Sequence, residues 1–149
     1  IRDSSYMFTE TQEGGGKPRL QMNEVRACRE FYAAGVKMLP VDIKHGCLTI
    51  MGYRTGKFAY ITDVSEIPEA NYEKLAGLDV LVLDALRIEP HPTHFNLEQA
   101  VKAAKRINAR RTYFTHIAHA LEHEETNAEL SGGMSLAYDG LEIEIKDEL

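Results

Sequence analysis

The run "DVLVLDA", residues 79–85, constrains the fold more than any other stretch of these 149 residues. Its apolar side chains do not alternate with polar ones, so a strand here has no face to turn toward water. Such strands sit inside sheets covered on both faces. The residues that follow continue in the same style. "NLEQAVKAAKRINA" spaces Leu97, Ala100, Val101 and Ala104 for one helix face, with Asn96 placed to cap the helix start. "RTYFTHIA" reads as the next strand, "ALEHEETNAEL" as a polar helix, and "MSLAYDGLEIEI" as a strand pair turning near Asp139 and Gly140.

The chain before this run has a different texture. "VKMLPVDIKHG" offers Val36, Met38, Val41 and Ile43 as inward residues, and "CLTIMGYRTG" with "FAYITD" makes residues 47–63 a β-hairpin turning at Gly56 and Lys57. "PEANYEKLAG" reads as a short helix with Pro68 in its first turn and Gly77 at its end. Residues 1–16 are polar and close on "GGG", which suggests a flexible lead. Strands are expected near 19–25, 36–44, 47–55, 57–63, 79–84, 111–116, 134–138 and 141–146, and helices near 68–77, 96–109 and 119–130. Antiparallel strands therefore come first, then strand, helix, strand, helix, strand: an α/β (α+β) chain with a mixed sheet and flanking helices.

Composition removes several function classes. The net charge of -6 argues against a general nucleic-acid surface, which needs clustered cations. The basic cluster Lys102 to Arg111 reads as the solvated face and C-terminal end of a helix. No apolar run is long enough to span a membrane, and no signal peptide opens the chain. Cys28 and Cys47 show neither metal spacing nor a disulfide framework. These points favour the cytoplasm, and the terminal "KDEL" reads as coincidence in a chain with no secretory signal.

Polar residues directly after apolar strands gather at a sheet edge, where loops build sites. Four occur here: His45 after "VDIK", Asp63 after "FAYIT", Asp84 in "LVLDA" and His116 after "YFT". Histidine and carboxylate are ligands for zinc, manganese or iron, and the two oxygens of Asp63 would let it bridge two ions. Singly, each is most simply a hydrogen-bonded loop residue; their recurrence at successive strand ends favours chemistry. His94 follows in a loop stiffened by Pro90 and Pro92, suited to cap the helix, touch a substrate oxygen or act as a general acid. His91 reads as solvent-facing, His119 as a supporting or capping residue, and His123 as part of a charged helix face.

Four segments, "GYRTGKFAYITDVSEIPE", "DVLVLDALRIEPHPTHFNLEQA", "YFTHIAH" and "LAYDGLEIEI", resemble the second half of metallo-β-lactamase-fold hydrolases. The similarity covers residues 17–147 and is greatest to the branch that includes the phosphoribosyl cyclic-phosphate phosphodiesterase of phosphonate breakdown. It implies a four-layer αββα sandwich with two divalent metal ions, zinc or manganese, held between the sheets. It further implies His45 as a ligand of one ion, Asp63 as the bridge, His116 as a ligand of the other, and His94 as the residue assisting phosphodiester chemistry. Asp84 receives no role.

That family opens its site with His-x-His-x-Asp-His, which is absent here, and no histidine precedes His45. The expectation is therefore the C-terminal portion, residues 1–149, of a single metallo-β-lactamase-like domain. Its complete site would be a metal-dependent phosphodiesterase for a small cyclic or nucleotide-like ester. The portion alone would bind metal weakly, show little hydrolysis, and form homo-oligomers or pair with the missing N-terminal half. The alternatives are another hydrolase on this fold (thioester, lactone or RNA processing) or a non-catalytic binding module.

Overall fold

The computed structural model describes residues 23–145. The expected flexible lead 1–16, most of the expected strand over 19–25, and the terminal residues 146–149 lie outside the described residues. Residues 23–25 form no strand.

Seven strands make one sheet in chain order: β1 (Phe31–Ala33), β2 (Val36–His45), β3 (Leu48–Thr55), β4 (Phe58–Ile61), β5 (Val80–Asp84), β6 (Arg111–Thr115) and β7 (Met134–Leu136). The strands from β1 to β4 pair antiparallel through short turns, including the expected hairpin of β3 and β4. From β4 to β7 the pairing is parallel. Helix α1 (Leu97–Ile107) makes the crossover from β5 to β6, and α2 (His123–Glu129) the one from β6 to β7. Strand β2 points the same way as β4, β5 and β6, because β3 reverses the chain between them. The C-terminal ends of these four strands therefore share one edge.

The continuous apolar run does lie in the parallel half, with all of Val80–Asp84 buried. Val41, Ile43, Ala59, Ile61, Leu81, Leu83 and Phe114 join Ala100, Ala103, Ala104 and Ile107 of α1 in one core cluster. Each large aliphatic side chain buried this way contributes about 1.5–3 kcal/mol relative to exposure. Helix α1 is held at both ends. The Asn96 side chain accepts from the Gln99 backbone N–H while the Gln99 side chain accepts from the Asn96 N–H, and Asn108 closes the other end in the left-handed conformation.

Four expectations need correction. Val36 is 47% exposed rather than inward. Strand β2 is continuous, and its pairings with β1 and β3 skip no residue, so Val36 and Met38 face opposite to Val41 and Ile43. Residues 68–77 form two 3₁₀ turns, Glu69–Asn71 and Glu73–Leu75, after Pro68. The buried Asn71 side chain there donates to the Asp42 carbonyl at 2.7 Å, which anchors the segment to β2 instead of continuing a helix. Helix α2 begins at His123, not 119, and has no side-chain cap. Finally, the turn at 139–140 is present, but residues 141–145 pair with no strand.

Candidate metal centre

The shared edge collects one candidate from each strand that ends there. His45 is the last residue of β2, Asp63 lies just past β4, Asp84 ends β5, and His116 follows β6 directly. Asp63 (φ 56°) and His116 (φ 61°) both leave their strands in the left-handed conformation. Holding a non-glycine residue there costs about 1–3 kcal/mol, and such strain concentrates at functional edges. His94 arrives from the loop between β5 and α1. That loop is tied down by Leu86 N–H to the Phe95 carbonyl (2.9 Å), Phe95 N–H to the Val64 carbonyl (2.6 Å) and Leu97 N–H to the Arg87 carbonyl (2.9 Å).

The side chains converge. One ligand atom from each of His45, Asp63 and His94 lies within 4.8 Å of the other two. His116 Nε2 stands 3.7 Å from Asp63 Oδ1. The His94 ring is central, 4.8 Å from His45 at its centroid and stacked 4.7 Å from His116. The three residues expected as ligands and His94 are thus together at one edge. The three whose ligand atoms lie mutually close are His45, Asp63 and His94, so His94, expected to assist the chemistry, stands where His116 was expected among the ligands.

Backbone and buried groups fix the ring polarity. His45 Nδ1 donates to the Thr93 carbonyl at 2.9 Å, which leaves the Nε2 lone pair free for a cation. His94 Nδ1 donates to Asp84 Oδ2 at 2.8 Å, and the same oxygen accepts from the Val64 N–H at 3.0 Å. Asp84 is 0% exposed, and its Oδ1 has no hydrogen-bond partner. Burial pushes its carboxyl above the usual carboxylate range, against the opposing pull of the His94 hydrogen bond. Asp84, without a role in the sequence reading, therefore stands directly behind His94. A carboxylate ending an otherwise apolar strand was the signal, because a buried acid needs a partner.

His91 corrects a further expectation: it is half-buried, with its ring 5.1 Å from that of His94. His119 is exposed and outside the group. His123 is exposed on α2, 3.2 Å from Asn127 Nδ2 and edge-on to Tyr138. The donor set of two imidazoles and a carboxylate at mutual ligand distance, with His116 beside the carboxylate, suits zinc or manganese.

Comparison with known proteins agrees with this fold. Residues 2–117 match the family model for the β-lactamase superfamily domain. The crystal structure of a diphosphatase from the PhnP family superposes with a TM-score of 0.82 and 49% identity, over 85% of this chain and 49% of that one. Zn²⁺-bound PqqB from Methylobacterium extorquens shares the fold at a TM-score of 0.65 with 17% identity, over 81% of this chain and 55% of that one. An octanoyltransferase from Porphyromonas gingivalis is 31% identical over 99% of this chain but only 30% of its own length. The chain thus spans less than half the length of the diphosphatase and of the octanoyltransferase, and their named activities belong to those longer polypeptides. What the match over residues 2–117 and the shared sheet establish together is membership: the chain belongs to the metallo-β-lactamase superfamily of hydrolases.

Proposed function

We infer that the complete protein is a metal-dependent phosphodiesterase acting on a small cyclic or nucleotide-like phosphodiester. The observation that carries this reading is the convergence of His45, Asp63, His94 and His116 at one sheet edge, with a buried carboxylate behind His94. The 49% identity to a diphosphatase, which also cleaves a phosphoryl linkage, supports that substrate class over carboxylic esters. In this reading His45 and Asp63 would hold one divalent ion and Asp63 and His116 the other, while His94, although at ligand distance from His45 and Asp63, would be kept for the proton. Bound there, such ions supply Lewis acidity to the phosphoryl group and ease deprotonation of water.

The remaining work belongs to the chain. His94 presents Nε2 toward the substrate because Asp84 occupies Nδ1, so it can pass a proton to the departing oxygen. Asp84 stabilises the charged imidazole between steps and fixes its orientation. The tied loop keeps His94 in place, so little ordering remains to be done when substrate binds. Cys28 and Cys47, both free, support a reducing cytoplasmic setting.

The test is a substrate panel with paired variants of the complete gene product. Phosphodiesters should be turned over, and thioesters and lactones should not. His94→Ala should keep its metal while turnover falls about 10² to 10⁴-fold, the usual scale for acid–base groups. His116→Ala should lose metal. Hydrolysis confined to carboxylic esters would overturn the reading, and equal metal loss in both variants would place His94 among the ligands.

A further inference from the structure

Thr93 addresses two histidines with groups of opposite polarity. Its carbonyl, which can only accept, takes the proton on His45 Nδ1 at 2.9 Å. Its backbone N–H, which can only donate, points at His91 Nδ1 at 3.4 Å, and its hydroxyl lies 3.2 Å from the same nitrogen. Neutral His45 therefore carries its proton on Nδ1 and keeps a lone pair on Nε2. Neutral His91 is the other tautomer, with the lone pair on Nδ1 and the proton on Nε2.

That difference separates their chemistry. An Nε2 bearing a proton cannot ligate a cation, but it is a ready donor to an anionic oxygen. Among the described residues no protein acceptor meets His91 Nε2, although the side chain is half-buried. Its ring centroid lies 5.1 Å from that of His94, at the centre of the histidine group. Pro90 and Pro92 flank it and limit its backbone. The loop is held further by Arg87, whose Nη2 donates to the Pro90 carbonyl at 3.0 Å and whose Nε donates to the Glu89 carbonyl at 3.2 Å. A fixed, unfilled donor beside the reacting group is what recognition of a phosphoryl oxygen requires.

We propose that His91 is a substrate-binding residue, donating its Nε2–H to a non-bridging phosphoryl oxygen, and is not a metal ligand. This rests on the phosphodiesterase reading above and adds a contact to the substrate. Ground-state and transition-state phosphoryl groups both offer that oxygen, so the contact acts mainly on binding.

The experiment uses the complete, metal-loaded gene product with bis(p-nitrophenyl) phosphate as substrate and inorganic phosphate as competing ligand. His91→Ala should raise KM and the inhibition constant of phosphate together, each about tenfold or more, as expected for losing a hydrogen bond to a charged oxygen. Its kcat should stay within about threefold and its metal content unchanged. His91→Gln, whose amide N–H replaces Nε2–H, should recover most of the binding, and His91→Glu, which only accepts, should be worse than alanine. Unchanged KM and phosphate inhibition in His91→Ala would overturn the proposal. So would a glutamine variant no better than alanine, or loss of metal. If the parent protein fails to hydrolyse the diester, the phosphodiesterase reading falls. Calorimetric titration with phosphate then decides for His91 alone: binding by the parent that weakens in His91→Ala supports it, and unaltered or absent binding overturns it.

Discussion

Asp84 is wholly buried, and one of its oxygens accepts from both His94 and the Val64 backbone. Asparagine has the same shape, but one orientation turns an N–H toward His94 Nδ1 and the other buries it unpaired where Oδ1 now sits. Asp84→Asn should therefore lower turnover at least about tenfold, a modest share of the usual acid–base effect, with metal content retained. Metal analysis beside steady-state rates checks this, and full activity would remove Asp84 from the mechanism. Gly46 acts through Thr93 in a similar way. It holds φ at 60°, and a Cβ there would lie 2.9 Å from the Thr93 methyl. Gly46→Ala should cost about 1–2 kcal/mol from the left-handed backbone alone. It should also push Thr93 off His45 and weaken metal binding. Thr93→Ser removes the clashing methyl and keeps the hydroxyl, so the double variant should regain part of the metal affinity; thermal melts and metal titrations read both effects. At this scale the histidines and Asp63 were visible as punctuation after apolar runs. The role of Thr93 was not, because a threonine between histidines carries no sign of which backbone group faces which ring.

The segment between β4 and β5 shows how a tertiary contact overrides local preference. Pro68 and Gly77 bracket a helix-like composition, yet Asn71 bonds to β2 and the chain tightens into 3₁₀ turns. The first of these turns is fastened to α1 by the ion pair of Glu69 with Arg106, whose guanidinium also lies 3.7 Å over the Tyr72 ring. Arg106 holds the Glu69 carboxyl below its ordinary range. The lowered folded value means the pair stabilises above the unfolded pKa, and this is lost as pH falls through the folded one; the exposed setting keeps it small. A carbon-detected NMR titration should find Glu69 titrating below an ordinary glutamate, returning to the ordinary range in Arg106→Ala. An unmoved midpoint would mean the pair does not form in solution. Strand β2 teaches a related lesson. Its apolar residues were legible, but Val36 and Met38 sit at even positions and Val41 and Ile43 at odd ones, so they cannot share a face. The start of α1, by contrast, was legible because Asn96 marks it with a cap that works locally; its end comes earlier than the expected 109, where Asn108 takes the left-handed conformation.

Across the whole sheet, the face opposite α1 carries Tyr53, Tyr60, Val82 and Tyr113 in one register row, with Val82 buried and Tyr60 46% exposed. We propose that this face is covered in the working protein, by the remainder of the polypeptide or by a second copy. With His45, Asp63 and His116 as the ligands and His94 kept for the proton, each ion would take two protein donors here, where lasting catalytic sites use three or more. The 149 residues alone should therefore bind Zn²⁺ or Mn²⁺ weakly, hydrolyse little and self-associate. Calorimetry beside light scattering checks this, and tight uptake of two ions by a monodisperse monomer would sink it. The mixed pairing order also has a consequence in time. Strands β2, β3 and β4 are joined by tight turns, whereas β5 and β6 must wait for a helix to form and pack between them. Local contacts form quickly and long crossovers slowly. Pulse-labelled amide exchange during refolding should protect residues 36–61 before 80–84 and 111–115. His45 and Asp63 are then in place while His116 still travels with an undocked strand, and the edge becomes a record of when the parallel half arrives.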